Sequence, residues 1–208
     1  MILIGQYDSS FVRRIGIALT HYGIGFEHRP WSVFGDAEKI APYNPLLRVP
    51  VLVLDDGVVL TDCNTILFHL DSIAPHDRLL SPLDPAERTL CLSVMAFSGG
   101  LADKAVSLFY EKRLHENPSA PWMERCNAQI AGTAQRLEVM RAARTGRFWF
   151  GDAMTHADIA VAASWRHAVT SHSGMLPDAN HPAIAAHNAT MEALPEFLAI
   201  YQDFIPPT

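Results

Sequence analysis

The sequence predicts an α/β domain of the order βαβ-ββα followed by an all-helical domain. Two observations carry this prediction. Strand-like apolar runs alternate with helical periodicity before a proline-rich stretch at residues 75–85, and only helical spacing follows it. Proline-rich stretches without periodicity are typical of boundaries between domains. We therefore expect a first domain over residues 1–76, a linker over 77–85 and a helical domain over 86–208.

The elements of the first domain follow from local signals. Residues 1–4 form a short apolar strand, and residues 11–22 carry apolar side chains at helical spacing that ends at Gly23. The pattern then predicts a strand within 25–31, a short helix near 36–40, a hairpin turning at Asp56-Gly57, and a helix over 63–74 capped by Thr61 or Asp62.

Helix start signals divide the second domain. Asp84, Pro85 and Glu87 form an N-cap, a first-turn proline and an acidic third residue. They open a long helix to about residue 115, in which Gly99-Gly100 permit a bend. Further helices are predicted to begin at Ser119, at Thr155, near residue 180, and over residues 195–204.

The composition describes a globular, acidic chain. Its 208 residues are 49% hydrophobic and 18% charged, with a formal net charge of −6. An acidic chain without a Lys/Arg run is not expected to bind nucleic acid or an anionic membrane. No continuous apolar run reaches the roughly 20 residues of a spanning helix, so we predict no membrane partner.

The N-terminus and the cysteines indicate a cytoplasmic location. Residues 1–10 contain neither a basic leader nor a cleavage site, so no signal peptide is predicted. Cys63, Cys91 and Cys126 are odd in number and far apart, which fits a reducing compartment. The sequence contains no HExxH, CxxC, phosphate-loop or GxSxG motif, and we predict no metal site.

Four stretches carry a resemblance to a known family. They are SSFVRRIGIAL at 9–19, NPLLRVPVL at 44–52, LTDCNTILFHL at 60–70 and FWFGDAMTHADIAVA at 148–162. In this order they resemble the cytosolic glutathione transferase superfamily, of the bacterial type with a serine at the catalytic position. The resemblance spans essentially the whole chain. It implies a thioredoxin-like first domain, a homodimer and a cytoplasmic role in detoxification.

The resemblance also implies a reaction. Glutathione would be the co-substrate, no metal would be needed, and the thiolate would attack a small hydrophobic electrophile bound between the domains. Ser9 matches the catalytic position, where its hydroxyl would donate to the glutathione thiolate, and the Ser10 N–H would add a donor. Tyr7 is a rival for the same task, because other classes of the family use a tyrosine near this strand.

The remaining matched positions imply how glutathione is held. Val49-Pro50 matches a cis-proline loop whose valine backbone would pair with the cysteinyl backbone of glutathione. Arg48 would meet the glycyl carboxylate. Asp62 would take the γ-glutamyl amine, and Cys63 would lie beside the γ-glutamyl carboxylate at a helix N-terminus.

Two departures from the family pattern keep other functions open. Cys63 stands where serine is usual, and Leu47 stands where glycine is usual, and both bear on glutathione affinity. A non-catalytic binding or scaffold protein is therefore an alternative. A glutathione-dependent isomerase is another, although its relatives carry a cysteine where this chain has Phe11.

Residues of the helical domain receive weaker assignments. Thr155 and Asp158 form a capping-box variant, which we assign to folding. Asp103 could reach a partner subunit's glutathione, although a solvated helix face is the simpler interpretation. Candidate electrophile contacts, which are equally core candidates, are Phe11, Met95, Phe97, Leu101, Tyr110 and Trp165.

Overall fold

A computed structural model describes residues 1–206 of the chain. Two compact units divide it: Met1–Ser81 together with the segment from Leu194 onward, and Pro82–Ala193. The sequence pattern placed the C-terminal segment in the helical domain, whereas the structure groups it with the α/β unit. Hydrogen bonds from Arg13 to the backbone of that segment account for the difference.

The α/β unit is built on one small sheet. Within the described residues its strands are β1 Ile2–Ile4, β2 Glu27–Arg29, β3 Val51–Val53 and β4 Val59–Thr61, and its first helices are α1 Ser10–Tyr22, α2 Ala37–Ile40 and α3 Cys63–Ile73. The sheet order is β2-β1-β3-β4, in which β1 and β2 are parallel and the other two pairings are antiparallel. This βαβ-ββα order confirms the predicted fold class.

Both faces of the sheet are covered. Ile4 and Val51 are fully buried cross-strand partners that pack with Ile40 of α2 on one face. Leu3 and Leu52, the adjacent buried pair, point to the opposite face because successive side chains alternate along a strand. The helices α1 and α3 pack against each other, and α1 contacts β1. Burial on both faces holds the ends of β1 and β3 in place.

Local signals in the α/β unit give the predicted boundaries. Gly23 ends α1 in the left-handed region, with φ +70°. The hairpin between β3 and β4 turns at Asp56-Gly57, where Gly57 has φ +87°. Asp62, and not Thr61, caps α3, because its carboxylate accepts from two backbone N–H groups of the first turn.

The second unit consists mainly of helices. Among its described residues are α4 Pro85–Leu114, α5 Ala120–Ala142, α6 His156–Ser171 and α7 Pro182–Glu192. The helix α6 is mostly buried and packs against α4 and α7, while α5 also packs against these two helices. The predicted Asp84 cap of α4 is confirmed, since its carboxylate accepts from the Glu87 N–H at 2.9 Å. The helix α4 continues through Gly99-Gly100 without interruption.

The predicted capping box at the start of α6 is confirmed. Asp158 is fully buried, and its Oδ2 accepts hydrogen bonds from the Thr155 N–H at 2.8 Å and the Thr155 hydroxyl at 2.7 Å. Its Oδ1 accepts from the Trp149 N–H at 2.7 Å. The carboxylate thus joins the start of α6 to the loop before it, which is a structural role.

The helix α4 is the one described helix that is long and apolar enough, by length and composition, to span a membrane. Its most apolar 18-residue window has a mean hydropathy of 1.2. The sequence predicts no such segment because no continuous apolar run is long enough. Polar residues interrupt the apolar residues of α4. Core helices of soluble proteins have the same composition. Within the helical unit α4 buries Val94, Leu101 and Leu108, and 39% of this window is buried.

The end of the chain packs against α1. The helix α8 spans Pro195–Ala199, and residues 200–206 lack regular secondary structure, so this helix ends earlier than predicted. Buried Arg13 donates from Nε to the Ile200 carbonyl at 2.9 Å and from Nη2 to the Phe197 carbonyl at 3.2 Å. These bonds satisfy carbonyl groups at the end of α8 and tie the segment to α1.

Candidate functional site

Ser9 lies at the N-terminus of α1 and caps it. Its Oγ accepts a hydrogen bond from the Val12 N–H at 3.5 Å. A hydroxyl has one donor proton and two acceptor positions, so capping leaves the Ser9 O–H able to donate to a ligand. The positive end of α1 favours an anion at the same place. Helix capping and ligand binding are therefore compatible roles for this side chain.

Ser10 faces the interior of the α/β unit. It is 2% exposed, and its Oγ is buried without a hydrogen-bond partner among the described residues. As the first residue of α1, it has a backbone N–H that lies beyond the reach of intrahelical carbonyl groups. This backbone N–H can therefore donate a hydrogen bond to a ligand.

The Tyr7 ring packs beside the middle of α1. It stacks on His28 with ring centroids 3.8 Å apart, and a Cβ built on Gly16 would lie 3.1 Å from its Cε1. The Tyr7 N–H donates to the Gln202 side chain at 2.9 Å. Burial raises the pKa of Tyr7 to about 12, so the phenol stays protonated at neutral pH. These contacts give Tyr7 a packing role. They favour Ser9 as the candidate hydrogen-bond donor to the glutathione thiolate.

The Val49-Pro50 peptide bond is cis, as the sequence predicts. The preceding loop is fixed by Asn44, which is 4% exposed. Its Nδ2 donates to the Arg48 carbonyl at 2.8 Å, and its Oδ1 accepts from the Leu46 N–H at 3.0 Å. Within residues 1–206 the Val49 backbone makes no loop hydrogen bond, so its N–H and C=O can pair with an extended ligand.

Leu47 adopts a backbone conformation that favours glycine. Its φ is +52°, and its side chain is 41% exposed. The left-handed region costs an L-residue about 1–2 kcal/mol, because Cβ approaches the following carbonyl oxygen. The departure from glycine at this position therefore strains the loop before Arg48, whose side chain is exposed.

Replacing Leu47 by glycine should raise the free energy of unfolding by about 0.5–1 kcal/mol, because glycine adopts positive φ without this clash. Leu46 is the matched control, since it is exposed and does not have positive φ. There, Leu46→Gly should lower stability by adding entropy to the unfolded chain. Urea denaturation of both variants measures the effects. If Leu47→Gly is no more stable than Leu46→Gly, the strain is absent.

The side chains that begin α3 are engaged within the protein. Asp62 has φ +70° and uses Oδ1 for both of its capping hydrogen bonds. Cys63 is 4% exposed, and its thiol donates to the Phe11 carbonyl at 3.5 Å. Burial raises the pKa of the Cys63 thiol. The thiol is therefore a packing group toward α1, and a carboxylate at this turn would depend on backbone N–H groups and local charge.

Two close contacts bring the candidate segments together. A Cβ built on Gly5 would lie 2.5 Å from Val12 Cγ2 and 2.8 Å from Val49 Cβ, so the end of β1, the first turn of α1 and the cis loop meet there. The bond between Cys63 and Phe11 joins the start of α3 to the same turn of α1. The segments that carry Ser9, Ser10, Val49, Pro50, Asp62 and Cys63 are thereby adjacent in the α/β unit.

The candidate electrophile contacts in the helical unit are mostly core residues. Met95, Leu101 and Trp165 are buried, whereas Phe97 is 37% exposed. Asp103 lies on α4, where its carboxylate is 3.2 Å from the Lys104 amine. For the three buried residues the structure supports packing as their role.

Metal-ligating side chains are dispersed. Among residues 1–206 there is no group of three or more His, Cys, Asp or Glu that could hold a metal ion. Cys63, Cys91 and Cys126 are free and buried. All three thiols therefore lie in the interior of the protein.

Sequence reasoning missed three residues near the site. Gly5 follows the first strand with φ +126°, and its position directly after that strand was the available signal. Asn44 fixes the cis loop, and the Asn-Pro pair is a turn signal. Arg14 is 1% exposed, which helical periodicity did not indicate, because charged residues are normally assigned to the solvated face.

The chain is similar to known proteins, over its first unit and over its full length. Residues 3–78 match the family described as glutathione S-transferase, N-terminal domain. The chain is 33% identical over 105 residues to the uncharacterized GST-like protein YibF of Escherichia coli (strain K12), and the match covers half of each protein. It is 23% identical over 209 residues to a "Probable maleylacetoacetate isomerase" of Caenorhabditis elegans, covering 100% of this chain and 95% of that protein.

A solved structure shares the fold over the full length. A glutathione S-transferase of Methylobacterium radiotolerans, in complex with glutathione sulfonate, matches with a TM-score of 0.90 at 27% identity. The match covers 100% of this chain and 97% of that one. The first unit therefore has a thioredoxin-like fold with a four-stranded mixed sheet, accompanied by a helical C-terminal region.

Proposed function

We propose that this protein is a glutathione transferase, because residues 3–78 of its thioredoxin-like unit match the glutathione S-transferase N-terminal domain family. Ser9 stabilises the glutathione thiolate, which attacks a small hydrophobic electrophile. One observation carries the proposal: the Ser9 hydroxyl, the cis Val49-Pro50 loop and the start of α3 belong to adjacent segments. The glutathione sulfonate bound by the M. radiotolerans protein supports glutathione as the ligand.

The proposed chemistry begins with the thiol. A free thiol has a pKa of about 8.5, and a hydrogen-bond donor at a helix N-terminus lowers it. The Ser9 hydroxyl and the positive end of α1 supply these two effects. The thiol proton passes to solvent, the sulfur forms a bond to the electrophilic carbon, and the leaving group departs with its electron pair.

The other residues hold the tripeptide. The Val49 backbone pairs with the cysteinyl residue, and the cis Pro50 keeps that backbone accessible. Arg48 binds the glycyl carboxylate, and Asp62 binds the γ-glutamyl amine. The N-terminus of α3, at Cys63, receives the γ-glutamyl carboxylate, and the Ser10 N–H adds a donor for the thiolate.

The Ser9→Ala variant should raise the pKa of the thiol of bound glutathione by about 1–2 units, because a charge-assisted hydrogen bond of about 1.5–3 kcal/mol is lost. Ultraviolet absorbance of the bound thiolate across a pH scan measures this shift. Ser9→Thr keeps the hydroxyl and should restore the low value, whereas Tyr7→Phe should leave it unchanged. An unaltered thiol pKa in Ser9→Ala would remove Ser9 from the mechanism.

A second candidate is a glutathione-dependent isomerase. It is favoured by the match to the C. elegans protein, which spans nearly the full length of both chains. Phe11 stands against it, because the resembling isomerases carry a cysteine there. Glutathione-dependent isomerisation of maleylacetoacetate, measured beside conjugation of an electrophile panel, distinguishes the two activities.

A non-catalytic binding protein is the remaining alternative. It rests on Cys63 and Leu47, the two departures from the family pattern. Glutathione binding without turnover of either substrate type, together with an unaltered thiol pKa in Ser9→Ala, would favour it over both enzymes.

The proposed assembly is a homodimer that acts in cytoplasmic detoxification. Phe68 of α3 is 81% exposed, and Leu92 of α4 is 58% exposed. Contact of these side chains with a second copy of the chain would remove apolar surface from water, which favours association. Sedimentation equilibrium of the purified protein tests the dimer, and a monomer at micromolar concentration would exclude it.

A further inference from the structure

Arg14 is a buried cation without a carboxylate partner. It is 1% exposed, it forms no ion pair within residues 1–206, and its Nε has no hydrogen-bond partner there. Its Nη2 donates to the Asn64 Oδ1 at 3.3 Å. Its neighbour Arg13, by contrast, is bonded to two backbone carbonyl groups. Burying an uncompensated guanidinium is costly, so its retention calls for an explanation.

The guanidinium of Arg14 is directed at the first turn of α3. Asn64 is the second residue of that helix, and Asp62 caps the helix. Burial raises the pKa of the Cys63 thiol, and the positive charge of Arg14 opposes this rise. The cation therefore adds to the positive end of the α3 helix dipole.

A second unsatisfied group lies on the same face of α1. Ser10 and Arg14 are four residues apart, which places them one above the other on the helix. The Ser10 Oγ is buried without a partner among the described residues, as is the Arg14 Nε. Buried polar atoms are nearly always bonded. Buried atoms of Gln129 and Ser164 also have no partner among the described residues, so the feature that requires an explanation is the buried charge of Arg14.

The replacement of serine by Cys63 makes the positive charge of Arg14 important for binding a carboxylate. Where the family has a serine hydroxyl, this chain has a thiol that donates to the Phe11 carbonyl. A thiol is also a weak donor. Attraction of a carboxylate to the α3 N-terminus must therefore come from backbone N–H groups and from nearby positive charge.

We propose that Arg14 is a positioning residue that selects a ligand with a carboxylate at the α3 N-terminus, the γ-glutamyl carboxylate of glutathione. This inference rests on the proposed function. Because Arg14 is buried behind the first turn of α3, it acts through space, without touching the ligand. Two opposite charges several ångströms apart near a protein surface interact strongly enough to change affinity about 10–30-fold.

The test compares two peptides by calorimetric titration. One is glutathione, and the other is 4-aminobutanoyl-cysteinylglycine, which keeps the amine and lacks only the γ-glutamyl carboxylate. Wild-type protein should prefer glutathione by at least tenfold. Arg14→Met should bind glutathione about 10–30-fold more weakly and the analogue within about twofold of wild type. Arg14→Lys, which keeps the charge, should retain most of the preference.

Stability measurements separate this role from a structural one. Removing an uncompensated buried charge should leave the melting temperature of Arg14→Met unchanged or higher. Should this variant nevertheless fail to fold, Arg14→Gln replaces it, because its amide keeps a hydrogen-bond donor and carries no charge. Arg14→Gln should weaken binding of glutathione more than of the analogue, while Asn64→Ala should not.

The outcomes distinguish the two proposals. Wild-type protein that binds neither peptide would overturn the proposed function, and this inference with it. Wild-type protein that binds both peptides equally, or an Arg14→Met variant that keeps the full preference, would overturn the role of Arg14 alone. A preference that is lost in Arg14→Met and kept in Arg14→Lys is the result that we expect.

Discussion

Asp158→Ala should lower the free energy of unfolding by about 3–5 kcal/mol. The fully buried carboxylate accepts three hydrogen bonds, from the Trp149 N–H, the Thr155 N–H and the Thr155 hydroxyl. Each buried donor that loses its partner costs about 1–3 kcal/mol, and the hydroxyl can turn to another acceptor while the two backbone groups cannot. Urea denaturation of the wild type and the variant measures the loss.

Two controls define the origin of this loss. Thr155→Ala removes one donor and the cap of α6, and should cost only about 0.5–2 kcal/mol. Burial raises the pKa of Asp158 to about 6, against the opposing effect of its hydrogen bonds, so measurements at pH 8 keep the carboxylate ionised. An Asp158→Ala variant that is no less stable than Thr155→Ala would show that the bonds from the Trp149 N–H and the Thr155 N–H contribute nothing.

Gly5→Ala should lower the free energy of unfolding by about 2–5 kcal/mol and weaken glutathione binding. Gly5 has φ +126°, which a side-chain-bearing residue rarely adopts, at a cost of about 1–3 kcal/mol. The added Cβ would also lie 2.5 Å from Val12 Cγ2 and 2.8 Å from Val49 Cβ. Relieving this overlap must move α1 or the cis loop, at a further cost of about 1–3 kcal/mol.

Gly57→Ala is the matched control for this variant. Gly57 also has positive φ, at +87°, but a Cβ there would meet no atom within 4 Å. It should therefore cost only the backbone strain, about 1–2 kcal/mol, and leave glutathione affinity unchanged. Equal losses in the two variants, measured by denaturation and calorimetry, would mean that the close approach at Gly5 is unimportant.

The candidate site was only partly predictable from sequence. Ser9 as a helix cap and the cis bond at Val49-Pro50 followed from a short motif and its family resemblance. The direction of the Cys63 side chain did not, because its acceptor, the Phe11 carbonyl, is 52 residues away in the chain. The choice between Tyr7 and Ser9 as the donor to the thiolate likewise could not be made from sequence, because it depends on the stacking of His28 on the Tyr7 ring.

The order of the elements and most of their boundaries could be predicted from local sequence signals. Caps such as Asp84, the turn at Gly57 and the periodicity of α1 act over a few residues, where backbone geometry and side-chain hydrogen bonds are local. The tertiary structure alone decided that Arg14 is a buried cation, and that the end of the chain joins the α/β unit. Those outcomes depend on partners 50 and 187 residues away, whose proximity is created only by burial of the shared core.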